Sequence, residues 1–228
     1  MIVAVTGLDR EAKLIARPDI TTVVGGGDAT ALRARIRGAL DAGAQRVLSI
    51  GICGALSPTL EVGDCVIATE IVTENERLAT HGAWTKELLE NIPYAQPAAL
   101  AGTDTILASS AQKEYLYRTT NAAAADMESH VAARVANECG VPFAAVRVVS
   151  DSAARALPPA AMVAMTKTGG VDILAVLRSL AARPTQIPAL IRTAWEAEKA
   201  FRALHRCRHV LDPNAAPVRL GELSLDMG

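Results

Sequence analysis

The chain has 228 residues, of which 50% are hydrophobic and 21% charged, with a net charge of −1. That length supports one sizeable core and a single α/β domain, and the near-neutral charge supplies no global field for a nucleic-acid partner. No run of about 18 uncharged apolar residues is present, so a membrane-spanning helix is not expected.

Aromatic residues make up only 3% of the chain, so a ligand pocket has to rely on aliphatic and thioether surfaces. The four cysteines, Cys53, Cys65, Cys139 and Cys207, are scattered without C-x-x-C spacing. They read as free thiols in a reducing cytoplasm. His81 and His130 lack partners at metal-ligand spacing and read as surface or pocket-wall residues. No metal and no resident cofactor are expected. Met1 leads directly into Ile2-Val3-Ala4-Val5-Thr6, too short and without the basic flank of a secretory signal, and this reads as the first strand.

In chain order, β-branched or apolar runs predict strands near 2–6, 20–24, 46–50, 64–72, 99–105, 122–125 and 143–149. Helical patterns fall near 10–16, 28–43, 109–117, 127–139 and 160–181. That alternation points to an α/β fold with a mixed, largely buried sheet. After Pro184 and Pro188 the character changes. Ile187, Leu190, Ile191, Ala194, Phe201 and Leu204 fall near one helical face, while six Arg or Lys between 183 and 209 oppose Glu196 and Glu198. The expected organisation is a domain over 1–183 followed by a basic amphipathic helix and tail over 184–228, with the tail loosely attached beyond Asp212-Pro213-Asn214.

Two junctions carry the chemistry. Ala125-Asp126-Met127-Glu128-Ser129 ends a small apolar strand and opens a helix, where acidic residues commonly serve as caps. Phe143-Ala144-Ala145-Val146-Arg147-Val148-Val149 is apolar apart from Arg147 and ends at Ser150-Asp151. Open α/β sheets bind ligands at strand ends, so two acidic strand ends can face one crevice. A carboxyl in a partly apolar pocket beside another carboxylate suits general acid catalysis.

These two segments resemble the signature segments of the nucleoside phosphorylase and nucleosidase superfamily. Ser49-Ile50-Gly51-Ile52-Cys53-Gly54-Ala55 through Val62-Gly63-Asp64 resembles its glycine-rich strand-turn and Val-Gly-Asp element, and Gly25-Gly26-Gly27 falls at a glycine-bearing turn. The resemblance covers roughly residues 1–183 and implies a partly barrel-like sheet flanked by helices, homo-oligomers, and cleavage of the base-to-sugar bond of a purine nucleoside.

By motif, the resemblance implies that Glu128 binds the ribose hydroxyls, Met127 packs on the sugar, and Asp151, oriented by Ser150, protonates the purine at N7. Ile106 stands where relatives often place an aromatic under the base. Leu107, Gly51, Ile52 and Asp126 complete the expected substrate-binding set.

Glu11 matches a water-activating glutamate of the hydrolytic branch, where phosphate-using relatives place an arginine. Ser49 and Ile52 stand at two further phosphate-site positions. A carboxylate repels phosphate and accepts a proton from water, which favours hydrolysis. Arg10 and the three glycines keep phosphate open as a co-substrate. The extended C-terminus and the Gly7-Leu8-Asp9-Arg10-Glu11-Ala12 start resemble the hopanoid-associated branch, which implies adenosylhopane as substrate. Two readings of the 184–211 helix stand: packing on the domain or on another subunit, or peripheral contact with the inner membrane face. The same motifs also suit a methylthioadenosine or adenosylhomocysteine nucleosidase, and the fold alone would suit a non-catalytic nucleoside-binding protein.

Overall fold

In the computed structural model, residues 1–162, 170 and 172–208 are described. The middle of the helix expected over 160–181 and the tail expected beyond Asp212 lie outside the described residues.

Among the described residues eight strands form the sheet: β1 (Ile2–Thr6), β2 (Ile20–Val24), β3 (Arg46–Ala55), β4 (Cys65–Val72), β5 (Arg77–Ala79), β6 (Gln96–Gly102), β7 (Ala124–Asp126) and β8 (Phe143–Asp151). The helices are α1 (Asp9–Ile15), α2 (Ala29–Asp41), α3 (Gly82–Asn91), α4 (Ser110–Thr120), α5 (Ser129–Glu138), α6 (Pro159–Met162), α7 (Ile173–Ala182) and α8 (Ile187–Cys207). β5 and α3 go beyond the predicted elements, although Trp84 and Leu88, spaced four apart and buried, mark the inner face of α3.

The sheet closes on itself. β3 pairs β7, β7 pairs β6, β6 pairs β4, β4 pairs β8, and β8 returns to β3, giving a five-stranded barrel with β1, β2 and β5 added outside it. Parallel and antiparallel pairs are mixed within that ring. Strands buried on both faces tend to be apolar throughout, which is why β1, β3 and β8 are rich in Val, Ile, Leu and Ala, with Ser49 and Arg147 the buried polar exceptions inside β3 and β8. One core lies between the sheet and α2 and α5, a second between the sheet and α1, α3 and α8, and a smaller third cluster holds Leu56, Ala101, Ala122 and Ala125.

The segment expected as a glycine-rich turn after residue 50 is strand instead, since β3 continues to Ala55. Its glycines serve close approach. A Cβ on Gly51 would fall 2.6 Å from Glu11 Oε1 and 2.5 Å from Arg147 Nη1. Between Cys53 and Gly54 the β3–β8 register shifts, so that Gly54 faces Asp151 and Ser150 is the extra residue. Such a bulge re-aims a side chain at a strand end.

α8 divides along its length. Ala200, Phe201, Ala203, Leu204 and Cys207 are buried in the second core, so the C-terminal half of this helix is continuous with the domain. Ile187, Ile191 and Trp195 are exposed, Trp195 at 73%. The single apolar face expected from the sequence is therefore two: Phe201 and Leu204 point inward, Ile187 and Ile191 outward. Pro188 sits in the first turn of α8, where a missing N–H costs nothing. Among the described residues no helix is long and apolar enough to cross a membrane.

Candidate active site

A cavity of about 240 Å³ opens at one end of the barrel. The start of α1, the C-terminal end of β3, the β7–α5 junction, the end of β8, the loop carrying Ile106 and Leu107, and α4, α6 and α8 all contribute to its wall. Of the residues singled out in the sequence, Glu11, Ile52, Ile106, Leu107, Asp126, Met127, Glu128, Ser150 and Asp151 line it. Gly51 does not; it lies beneath the wall, leaving room for Arg147 and Glu11. β7 and β8, which carry the two acidic ends, are not neighbours: both flank β3, from opposite sides.

Asp126 and Glu128 divide the roles that one acidic junction suggested. Asp126 Oδ1 accepts from Ser129 N at 3.0 Å and so caps α5, and its Oδ2 meets Ser129 Oγ and Arg147 Nε. Glu128 makes no capping bond. Its side chain turns toward Gly7 and Gly25, where a Cβ would stand 3.0 Å from Oε1 and 2.8 Å from Cγ respectively. The glycine turn at 25–27 thus makes room for Glu128, and Gly26 and Gly27 have the positive φ that suits glycine.

Glu11 is 1% exposed. Its Oε2 accepts from the backbone amides of Gly7 (2.7 Å) and Leu8 (2.9 Å), and its Oε1 from that of Ile52 (2.8 Å). These bonds tie α1 to β3. Each carboxylate oxygen has two acceptor sites, so the bonds still leave capacity toward the cavity. Burial raises the Glu11 pKa, against the opposing pull of Arg147 and the three amides.

Arg147, fully buried in β8, stands within one of the two signature-like segments but is given no role by motif; a lone charge in an apolar strand signals a buried partner. Its Nε meets Asp126, its Nη2 lies 3.7 Å from Glu128 Oε2, and Nη2 donates to Ser49 Oγ at 2.6 Å. Burial works against the guanidinium charge, and Asp126, Glu128 and Glu11 together outweigh it. For Glu128 burial dominates, pushing its carboxyl up to about 8; Arg147 pulls it down, and Asp126 and Glu11 push it further up.

The Glu128 shift has a measurable consequence. The native state holds the proton up to about pH 8, whereas the carboxyl's ordinary value is 4.5. Between those values the folded chain binds more protons than the unfolded one, so stability falls as pH rises through that window. Glu11 acts in the same direction. Urea unfolding is expected to show a loss of more than about 1 kcal/mol between about pH 5.5 and 8, and Glu128→Gln to flatten that slope.

Asp151 has two fixed contacts. Ser150 Oγ lies 2.9 Å from its Oδ1 and 3.0 Å from the Cys53 carbonyl oxygen, sharing one proton between them. Its Oδ2 is ion-paired with Lys113 of α4, whose side chain is 1% exposed. The apolar setting expected around Asp151 is thus replaced by a buried ammonium. A capping box, Ser109 with Gln112, starts α4 and places Lys113 on its first turn. Nothing in the local pattern distinguishes Lys113 from the solvated residues around it.

Arg10 pairs with Glu198 at 2.6 Å and stacks over Phe201, away from the cavity, so it is not available to an anion there. Ser49 is bound to Arg147 and Ser129. Arg155 pairs with Glu196 of α8 and does not line the cavity. His130 is a buried residue rather than a surface one, with Nε2 3.0 Å from Asp104 Oδ1. Burial drives the Cys53 thiol up, so it is not an activated thiolate. No cluster of metal-ligating residues occurs among the described residues.

A closed mixed barrel with Glu11 and Glu128 packed against glycines at one end, beside a lined cavity, defines the α/β class of this protein. Residues 2–182 match the Phosphorylase superfamily, and the chain belongs to that family. The aminodeoxyfutalosine nucleosidase of Helicobacter pylori is 29% identical over 133 aligned positions, taking in 49% of this chain and 57% of that protein. The chain thus spans little more than half the length of this curated relative.

Solved structures share the fold. The 5′-methylthioadenosine/S-adenosylhomocysteine nucleosidase of Helicobacter pylori superposes with a TM-score of 0.61 at 18% identity, covering 90% of this chain and 96% of that one. The S-adenosylhomocysteine nucleosidase of Streptococcus pyogenes gives 0.62 at 14%, covering 93% and 97%. The futalosine hydrolase of Helicobacter pylori gives 0.57 at 19%, covering 66% and 87%.

Proposed function

We propose that this chain hydrolyses the N-glycosidic bond of an adenine nucleoside. The observation that carries the reading is the convergence of Glu11, Glu128 and Asp151, from three separate segments, on one cavity. Glu128 holds the ribose hydroxyls and Met127 packs on the sugar. Ile106 and Leu107 supply apolar surface for the base. Asp151 directs a proton to N7, so that the purine leaves as a neutral base while the sugar becomes oxocarbenium-like. Glu11 takes the proton of the attacking water. The nucleosidases and hydrolases among the relatives support this chemistry.

Water is favoured over phosphate because, among the described residues, Lys113 is the one cation in the cavity wall and is already ion-paired, and Arg10 points elsewhere. Incubating the protein with 5′-substituted adenosines is expected to release adenine without added phosphate. Release only with phosphate, yielding ribose 1-phosphate, would overturn the hydrolytic reading. No release under either condition would overturn the enzymatic one.

We further propose that the 5′ substituent is large and apolar, with adenosylhopane the substrate class, and that the enzyme works at the cytoplasmic face of a membrane. Leu157, Ala161, Met162 and Ala197 make one part of the cavity wall apolar, and Met162, 39% exposed, marks its contact with solvent. α8, which contributes Thr193 and Ala197 to that wall, presents Ile187, Ile191 and Trp195 outward. Arg192, Lys199, Arg202 and Arg206 surround a groove that includes Trp195. Near an anionic surface each such cation contributes about 1 kcal/mol. Co-sedimentation with vesicles rich in anionic lipid is expected, reduced by salt and by the pair Ile191→Asp and Trp195→Ala. Absence of binding by the unaltered protein would overturn the membrane contact.

A further inference from the structure

The buried lysine of α4 is the least expected group in the cavity wall. Lys113 Nζ has three protons, and three oxygens receive them: Asp151 Oδ2, the Ser152 carbonyl at 2.9 Å and the Arg155 carbonyl at 3.2 Å. All three acceptors belong to the end of β8 and the loop that follows it. Burying an ammonium is expensive, and an apolar side chain closes a loop as well or better. A cation held here, on one oxygen of the acid, therefore calls for a role in which its charge or its proton matters. In this contact Nζ is the donor and Asp151 Oδ2 the acceptor.

We propose that Lys113 is the source of the proton that Asp151 hands to the leaving purine, an inference that rests on the nucleosidase reading. As the bond from C1′ to N9 breaks, its electron pair stays on the purine. A proton moves from Nζ to the Asp151 carboxylate, and a carboxyl proton passes to N7. The water oxygen bonds to C1′, and the water proton goes to Glu11. Lys113 then regains a proton from solvent and Glu11 returns one, so no other reactant is needed. Lys113 acts through Asp151 and is a positioning residue for it as well as its proton supply. The Ser152 and Arg155 carbonyls fix the nitrogen on one carboxylate oxygen, and Ser150 occupies the other.

The test compares two leaving groups. Adenine needs a proton on departure, whereas the nitrophenolate of 4-nitrophenyl β-ribofuranoside does not. The measured quantity is the ratio of kcat on the adenine nucleoside to kcat on the nitrophenyl riboside. Lys113→Met is expected to lower that ratio about 100-fold, the scale of general acid catalysis, with KM for the nucleoside changed only a few-fold. Lys113→Arg keeps the ion pair but carries a cation that does not give up its proton, and it is expected to show a similar loss. An unchanged ratio in Lys113→Met, or a ratio restored by Lys113→Arg, would overturn the proposal, the latter by showing that charge alone suffices. Should Lys113→Met fail to fold, the Lys113→Arg ratio decides. A wild-type chain inactive on both substrates would instead overturn the nucleosidase reading beneath it.

Discussion

Asp151→Asn is expected to lower kcat for adenine release by about 10²–10⁴-fold while leaving KM within a few-fold, because the group removed acts on the leaving base rather than on the sugar. The carboxamide fits the same space beside Gly54, and its oxygen still accepts from Lys113. What it lacks is an exchangeable carboxyl proton and the charge that balances the ammonium. The variant is therefore also expected to melt at a lower temperature than the parent, since one member of a buried pair has lost its counter-charge. Steady-state kinetics on a 5′-substituted adenosine, with a melting curve on the same sample, separate the two effects. A stable, fully active Asp151→Asn variant would show that the acid lies elsewhere.

The backbone of the site was legible in the sequence because it follows from short-range rules. Apolar runs ending in Asp126 and Asp151 specify buried strands whose tips are polar, and the structure puts both tips against β3. What was not legible depends on closure of the barrel. Glycines 51 and 54 look like turn formers, yet neither has a positive φ; they are small because Arg147, Glu11 and Asp151 approach them across the sheet. Lys113 is surrounded in sequence by Gln112, Glu114 and Arg118, the composition of a solvated helix face, and only the β8 loop folding over α4 buries it. Arg147 did leave a local trace, as the single charge in an apolar strand, but its three acidic neighbours come from α1, β7 and the start of α5. The same limit applies to α8, where periodicity alone merges into one face residues that the barrel and the solvent divide between them.

Arg147→Met is the substitution expected to cost most in stability. It leaves Asp126, Glu128 and Glu11 buried together with no cation among them, and breaking a buried ion pair from one side typically costs about 3–5 kcal/mol. Asp126 suffers most directly, since its Oδ2 faces the guanidinium while Oδ1 is committed to the α5 cap. The loss should depend on pH. Above about pH 8 Glu128 gives up the proton that burial holds on it and adds a buried negative charge with no guanidinium to balance it, whereas toward about pH 5 that carboxyl is neutral, so the deficit against the parent shrinks. Urea unfolding of both proteins across that range measures it. A difference below about 1 kcal/mol at every pH would mean that the guanidinium is not what reconciles the carboxylates. Burial raises Glu128 and Arg147 lowers it. The same arginine that holds the site together therefore sets how much of Glu128 is ionised when a ribose arrives, which links the stability of the barrel end to its capacity to bind the sugar.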